Sequence, residues 1–465
     1  MLKRIHIKGY KSLRDVEVEL KPLTVLVGPN AAGKSNFLDA LQLLSRIASS
    51  HTLNEAFAPP YRGKPLESFS FYSKGLKGLR KRQSVSFSIE VDFTLSDFVV
   101  EGVNRQIKRI KRSLEKDSKK PSGAVAGKIS AEDEDDKNLV KPCVLRYRIK
   151  IEMLPSAGFL RVADEYLAAV NDEGKPVDDE SKFLWCVNKK GGRDYQQLVW
   201  LKEGDNEFVS LERPSPGQSA LSQSLYAPLY PYLTAARHEI TSWKCFYFEP
   251  REFMRIPNPV RQVRNIGPMG EDLPAYMNTL KAEDKSQFKT IERNLKHLLP
   301  QIDGIDVYVN DHGEIELSLK EDGVLISDRV LSEGTLRMLG LLALGGSKEP
   351  LSLVGLEEPE DGIHPRRIEL VAELLKTRAN LVGRTQYIVA THSPVLVDWM
   401  PKESLFIVAR GDKGTEIDPF NAFGPLGDRL KDGMTAVDVA LTDEEELDFE
   451  PLSVSERILR GDFDG

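Results

Sequence analysis

Short, wholly apolar runs alternate along this chain with longer stretches whose apolar residues recur at helical spacing. Leu23-Thr24-Val25-Leu26-Val27 is the first such run, and its apolar, β-branched make-up predicts a buried parallel strand. Phe37, Leu38, Leu41, Leu44 and Ala48 then recur as one face of a helix. Strand-like runs return at Leu351–Leu356, Tyr387–Ala390 and Leu405–Val408. Thr335–Leu344 predicts a buried helix with Ser332 as N-cap and Gly345-Gly346 as its stop. This alternation is that of an α/β fold.

A period of two appears between these parts. Residues 84–95 alternate as a half-buried strand. Residues 143–212 read as short strands at Val144–Ile151, Phe183–Val187, Leu198–Leu201 and Phe208–Leu211. Turn residues at Asn171–Gly174 and Gly191-Gly192 separate them, so an antiparallel sheet is expected. Residues 246–300 read as mostly helical, with loops at Pro250–Asn258 and Gly267–Pro274. The expected organisation is a first lobe part at 1–50, an inserted β-rich region at 51–245, a helical lobe at 246–330, a second lobe part at 331–410 and an acidic tail at 411–465.

Charge changes this picture in two places. Arg105-Gln106-Ile107-Lys108-Arg109-Ile110-Lys111-Arg112 is a basic, helix-compatible run. It leads into Lys119-Lys120 and the acidic Glu132–Asp136, so residues 113–140 read as disordered or as an exposed hairpin tip. The basic run suits nucleic-acid phosphates, though such runs are more often a solvated helix face. The net charge of −7 argues against nucleic-acid binding over the whole surface. At 465 residues the chain has room for two or three cores. No stretch approaches the ~20 apolar residues of a membrane span. The three cysteines show no zinc or disulfide spacing, and the N-terminus shows no signal h-region, so a reducing cytoplasm is expected.

The candidate chemistry sits at the ends of the apolar runs. Gly28-Pro29-Asn30-Ala31-Ala32-Gly33-Lys34-Ser35 matches GxxxxGK[ST] between a strand and a helix. In that setting backbone N–H groups at Asn30, Ala32, Gly33 and Asn36 cradle ATP phosphates, Lys34 reaches the terminal ones and Ser35 ligates Mg²⁺. Leu351–Leu356 ends in Glu357-Glu358-Pro359, which places two carboxylates at a strand's C-terminal end, facing the ligand crevice. Glu357 is the candidate metal ligand and Glu358 the candidate general base. Tyr387–Ala390 ends in Thr391-His392-Ser393-Pro394, and His392 is placed to sense a terminal phosphate. Leu331-Ser332-Glu333-Gly334 puts a hydroxyl and a glycine at a helix N-terminus, which suits a phosphate. His364 reads either as part of a dimer contact or as the start of a helix before Pro365.

These four segments together resemble the ABC-type ATPase heads of the RecF, SMC and OLD group. Ile5–Leu13 looks like the opening strand of those heads, and Gly267–Pro274 like a loop in that set. EEPEDGIHP and THSP are especially similar to small bacterial ATPases associated with OLD-type proteins. The resemblance covers roughly residues 1–50 and 245–410. It implies a P-loop NTPase head with a mixed sheet, an antiparallel β subdomain and a helical lobe. It also implies a homodimer, or a higher assembly of dimers, with two composite sites: the phosphate loop from one protomer and Ser332, Glu333 and Gly334 from the other. Ala31 stands where the family usually has Gly, and Glu357 where the wider ABC group has Asp. Gln83 is a candidate for the glutamine that couples phosphate and metal to the lobes.

Full OLD proteins carry a nuclease domain after the ATPase, and the residues after Pro401 offer no carboxylate cluster with that spacing. The expectation is therefore an ATP-hydrolysing switch that regulates a separately encoded effector, a nuclease, in antiphage defence. The runner-up is a RecF-like repair ATPase that itself clamps DNA. A transporter head is disfavoured by the inserted region.

Overall fold

The computed structural model describes residues 1–420 apart from 72–73, 119–138, 172, 178–180, 189–196, 204–206, 213–214, 224, 226, 346–349 and 381–384. The charged blocks at 119–120 and 132–136, the Gly191-Gly192 turn, Gly346 and the acidic tail beyond 420 lie outside the described residues.

The chain opens with β1 (Leu2–Tyr10), β2 (Leu13–Glu19), β3 (Leu23–Val27) and α1 (Lys34–Ser49). Short helices α2 (Leu53–Ala56) and α3 (Gly75–Leu79) lead to β4 (Val85–Thr94) and the long α4 (Asp97–Ser118). Then come β5 (Val144–Leu154), β6 (Phe159–Val170), β7 (Lys182–Asn188), β8 (Gln197–Glu203) and β9 (Glu207–Glu212). They are followed by α5 (Pro231–Thr241), β10 (Trp243–Phe246), β11 (Asn258–Pro259), α6 (Leu273–Glu283) and α7 (Lys285–Leu298). Next are β12 (Ile302–Val309), β13 (Glu314–Glu321), β14 (Val324–Ser327), α8 (Glu333–Ala343) and β15 (Leu353–Glu357). The described chain closes with α9 (Pro365–Asn380), β16 (Gln386–Thr391), α10 (Pro394–Asp398), β17 (Leu405–Gly411) and β18 (Gly414–Pro419).

Two compact units divide these elements. The first holds residues 1–20 and 39–243. Its centre is an eight-stranded antiparallel sheet in the order β2-β1-β4-β5-β6-β7-β8-β9. Alternation decides its faces: Val85, Phe87, Ile89, Val91 and Phe93 of β4 are all buried. Tyr147, Ile149 and Ile151 of β5 continue that buried face. The basic run lies on α4, whose Val99, Val103 and Ile107 are buried while Arg105, Lys108 and Arg109 are exposed. Glu165 of β6 is buried but satisfied by the hydroxyls of Tyr147 and Ser219 and by the backbone N–H groups of Ala220 and Leu221. Strand β6 is absent from the expected set, because FLRVADEYLAAV mixes apolar pairs with charges and one of its inward positions is this glutamate.

The second unit holds residues 21–38 and 244 onward. Its six-stranded sheet runs β10-β15-β16-β3-β17-β18. The pairs β15–β16, β16–β3 and β3–β17 are parallel, and β17–β18 is an antiparallel edge. Every residue of β3 and β16 is buried, which is why they read as continuous apolar runs. A second, antiparallel sheet joins β11, which precedes α6, to β13, β12 and β14, which stand between α7 and α8 in sequence; all lie inside the stretch read as a helical lobe. Its inward residues Ile315, Leu317 and Leu319 alternate with Glu314, Glu316 and Ser318, so the strand period was present. Strand β18 falls in the stretch read as an acidic tail, and it is held by buried Thr415 and Ile417.

Candidate functional site

Strands β3, β15 and β16 are parallel neighbours, so their C-terminal ends open on one edge of the sheet. Residues 28–33, Glu357-Glu358 and Thr391-His392 all leave from that edge. Gly28 follows β3 where an added Cβ would meet the Val408 carbonyl oxygen at 2.1 Å, so only glycine passes there. The loop then turns through Ala31 at φ 65° and Gly33 at φ 118° before α1 starts at Lys34. Ala31 holds a left-handed conformation that glycine would adopt without its Cβ penalty. The buried Thr415 hydroxyl donates to the Ala32 carbonyl at 2.7 Å and pins the loop to β18.

Lys34 is buried, and its ammonium donates to the carbonyls of Gly28 at 2.6 Å and Pro29 at 2.9 Å. Burial pulls this ammonium below its ordinary range, against the fields of Glu358, Glu357 and Glu360, which favour the charge. The Ser35 hydroxyl donates to Glu357 Oε1. Hydroxyl and carboxylate oxygens side by side are the hard donors a magnesium ion takes.

Glu358 leaves β15 at φ 46°, with its N–H donating to the Ala390 carbonyl of β16 at 2.8 Å. That bond ties the tight turn to the neighbouring strand, which over-determines the strained conformation. Glu358 Oε1 lies 2.7 Å from His392 Nδ1. Asp361 completes a cluster in which one ligand atom each of Glu358, Asp361 and His392 lie within 4.8 Å of one another. Burial raises the Asp361 carboxyl above its usual value, and the Glu358 charge adds to that.

Glu360 and Thr391 were not singled out in the sequence. Glu360 is buried, accepts the Thr391 hydroxyl on Oε1 and leaves Oε2 without a partner among the described residues. Burial pushes its carboxyl up to about 7, and the Thr391 hydrogen bond opposes that rise. Thr391 Oγ1 also accepts the Ser393 N–H at 2.9 Å, so one hydroxyl spans both sides of His392. An acidic run such as EEPED reads as a solvated turn; only tertiary burial separates its third carboxylate from the others.

Ser332 caps α8, accepting the Thr335 N–H at 3.1 Å, and is itself exposed. Gly334 is buried against the other loop: a Cβ there would stand 2.4 Å from the Gly362 carbonyl oxygen. Exposed Arg251 pairs with Glu333 and holds that carboxyl below its usual range. Arg255 donates to the Leu331 carbonyl and Arg337 to that of Phe248, so three arginines shape this loop. His364 is exposed and accepts the Arg366 N–H at 3.3 Å at the start of α9. Gln83 lies exposed in the turn before β4 in the first unit.

Two family models match this chain. An AAA ATPase domain matches residues 1–204, and an AAA domain described as putative AbiEii toxin, Type IV TA system, matches residues 221–398. An OLD nuclease of Thermus scotoductus is 48% identical over 44 residues, covering 10% of this chain and 8% of that protein. This chain therefore matches less than a tenth of that nuclease's length. The DNA replication and repair protein RecF of Lactobacillus gasseri is 21% identical over 330 residues, covering 63% of this chain and 79% of that protein. Among solved structures, an SMC head bound to the C-winged helix domain of ScpA is 13% identical with a TM-score of 0.47, covering 90% of this chain and 97% of that one.

Proposed function

We propose that this chain, an ATPase of the ABC type in the group of RecF, SMC and OLD proteins, is an ATP-gated switch whose paired copies control a separately encoded effector. The observation that carries this reading is the adjacency at one sheet edge of two pairs, Ser35 with Glu357 and Glu358 with His392. The loop N–H groups of Asn30, Ala32, Gly33 and Asn36 and the start of α1 cradle the phosphates of ATP. Lys34 exchanges its loop carbonyls for the terminal phosphate oxygens. Ser35 and Glu357 would hold Mg²⁺, which when bound neutralises charge on the transferring phosphoryl group. Glu358 takes the proton of a water attacking the terminal phosphorus; the bond to the ADP oxygen breaks, and phosphate leaves. His392 orients Glu358 through Nδ1 and offers its other ring nitrogen towards the terminal phosphate.

Ser332, Glu333 and Gly334 act across a dimer, on the nucleotide held by the partner. Exposure of Ser332 at a helix N-terminus supports this, since its cap leaves the hydroxyl at the surface. The output is control of a cytoplasmic effector, a nuclease, in antiphage defence. Among the described residues no helix is long and apolar enough to cross a membrane.

A second reading, a RecF-like repair ATPase that retains DNA, is favoured by one feature. Arg105, Lys108, Arg109 and Arg112 share a face of α4 around a hollow of 410 Å³. It predicts ATP-dependent DNA retention that falls steeply between about 50 and 200 mM salt.

The ATPase reading is tested by two variants. Lys34→Ala is expected to lose nucleotide binding. Glu358→Gln is expected to bind ATP, hydrolyse it about 10²–10⁴-fold more slowly, and accumulate as an ATP-bound pair in light scattering. Hydrolysis by Glu358→Gln at the wild-type rate removes Glu358 as the base. A single-copy mass at saturating ATP removes the switch.

A further inference from the structure

The face of the eight-stranded sheet opposite its buried side carries one cross-strand row that changes character part-way. Register sets His6 beside Glu90, Glu90 beside Arg148, Arg148 beside Tyr166, Tyr166 beside Trp185, and Trp185 beside Trp200. The row begins with charged and polar groups, Arg148 pairing with Glu90 at 3.6 Å, and ends as aromatic rings. Arg148 joins the two parts: it donates to Asp164 at 3.0 Å, and its guanidinium carbon lies 5.3 Å from the Tyr166 ring centre.

Tyr166, Lys182, Trp185, Trp200 and Phe208 line a hollow of 440 Å³ on this face. The Trp185 and Trp200 rings are parallel to within 2°, with centres 5.7 Å apart. Phe208 meets Trp185 edge-on at 5.1 Å and is itself 38% exposed. The core of this unit does not need these rings: Leu167, Leu184, Val199 and Leu201 are the buried residues of the same strands. Phe208 is exposed and Tyr166, Trp185 and Trp200 are half-buried, so four aromatic side chains reach the surface at one place, as at a binding site.

We propose that this hollow is a stacking site for single-stranded nucleic acid. Its chemistry selects the occupant. Trp185 and Trp200 already stack on each other and Arg148 covers Tyr166, so the ring surface left at the hollow is what a base would extend by stacking, since every base has a π-face. Lys182 in the lining adds positive charge for the sugar–phosphate backbone, while Arg148 beside the hollow is paired with Asp164 and Glu90. A duplex hides its base faces, so an unstacked strand is the fitting occupant. An antiparallel sheet with aromatic and basic side chains on its open face is a general arrangement for unstacked bases. The site lies within the first unit and does not rest on the ATPase reading.

The test uses the full-length protein and fluorescein-labelled oligo-dT and oligo-U of about 10 nucleotides, a length within the usual single-strand site size. Binding is read by anisotropy and by quenching of intrinsic tryptophan emission. Phe208→Ala and Lys182→Glu are each expected to weaken binding about tenfold while leaving ATP turnover unchanged, which also reports that the chain is folded. The matching duplex and free ATP are expected to compete poorly. The proposal is overturned if no oligomer binds at about 50 mM salt, if the duplex or ATP competes equally, or if neither substitution weakens binding. It is also overturned if the oligomers fail to bind while Phe208→Ala releases a co-purifying protein, which would make the patch a protein dock.

Discussion

Lys34 sits in the field of three glutamates, and its burial opposes the charge that Glu357, Glu358 and Glu360 favour. The three carboxylates differ by environment more than by sequence. Glu357 meets a hydroxyl, Glu358 meets an imidazole, and Glu360 is buried with one oxygen unpartnered among the described residues. A carboxyl raised to about 7 in the fold binds its proton more tightly there than in the unfolded chain. Its contribution to stability is therefore full below the unfolded value near 4.5 and is lost as pH rises through 7. Glu360→Gln keeps an acceptor for Thr391 and cannot ionise. The melting temperature of the wild type is expected to fall more between acid and alkaline pH than that of Glu360→Gln, and equal pH profiles in calorimetry would refute the buried acid. At this scale the phosphate loop was legible because its demands are local: backbone donors, a close approach and a helix start. Glu360 and Thr391 were not, because their roles depend on residues brought together from separate strands.

At the scale of elements, glycines mark where loops cross. Gly28 lies under the Val408 carbonyl of β17, and Gly334 under the Gly362 carbonyl beside α9. Gly355 in β15 faces Cys245 Sγ, which an added Cβ would approach to 2.7 Å. Backbone oxygens cannot step aside as a flexible side chain can. Gly28→Ala is therefore expected to lower the stability of the second unit by about 3 kcal/mol, at the upper end of ordinary point substitutions. Denaturant titration should show this as a shifted midpoint, and a midpoint within about 0.5 kcal/mol of the wild type would contradict the close approach. The buried parallel strands were readable because burial on both faces leaves only apolar residues. Strand β6 was not, since a glutamate occupies one of its inward positions and is satisfied by partners distant in sequence.

At the scale of the whole molecule, a shared site makes a distinctive prediction about mixtures. In the proposed dimer, Lys34→Ala removes the phosphate-loop half of a site, and Ser332→Arg removes the half that the partner would supply. Arginine at Ser332 also loses a helix cap, at a cost of about 1 kcal/mol, which the fold can bear. Gly334 is the poorer choice, since any side chain there meets the Gly362 carbonyl of its own chain. Each variant alone is expected to be nearly inactive. A one-to-one mixture is expected to recover up to about a quarter of wild-type turnover, because random pairing leaves one intact site in half of the pairs. Phosphate release measured across mixing ratios checks this, and a mixture no more active than its components argues against shared sites.

The amino-acid sequence by itself determined the α/β class, the phosphate loop and the order of the acidic and histidine strand ends, because each rests on a short-range pattern of period, turn and charge. Tertiary structure alone decided which carboxylate is buried, that His392 faces Glu358, and that four aromatic residues from four strands share one hollow. The physical reason is the same in each case. Burial and cross-strand neighbours are set by sheet register, and register is a property of strands distant in sequence.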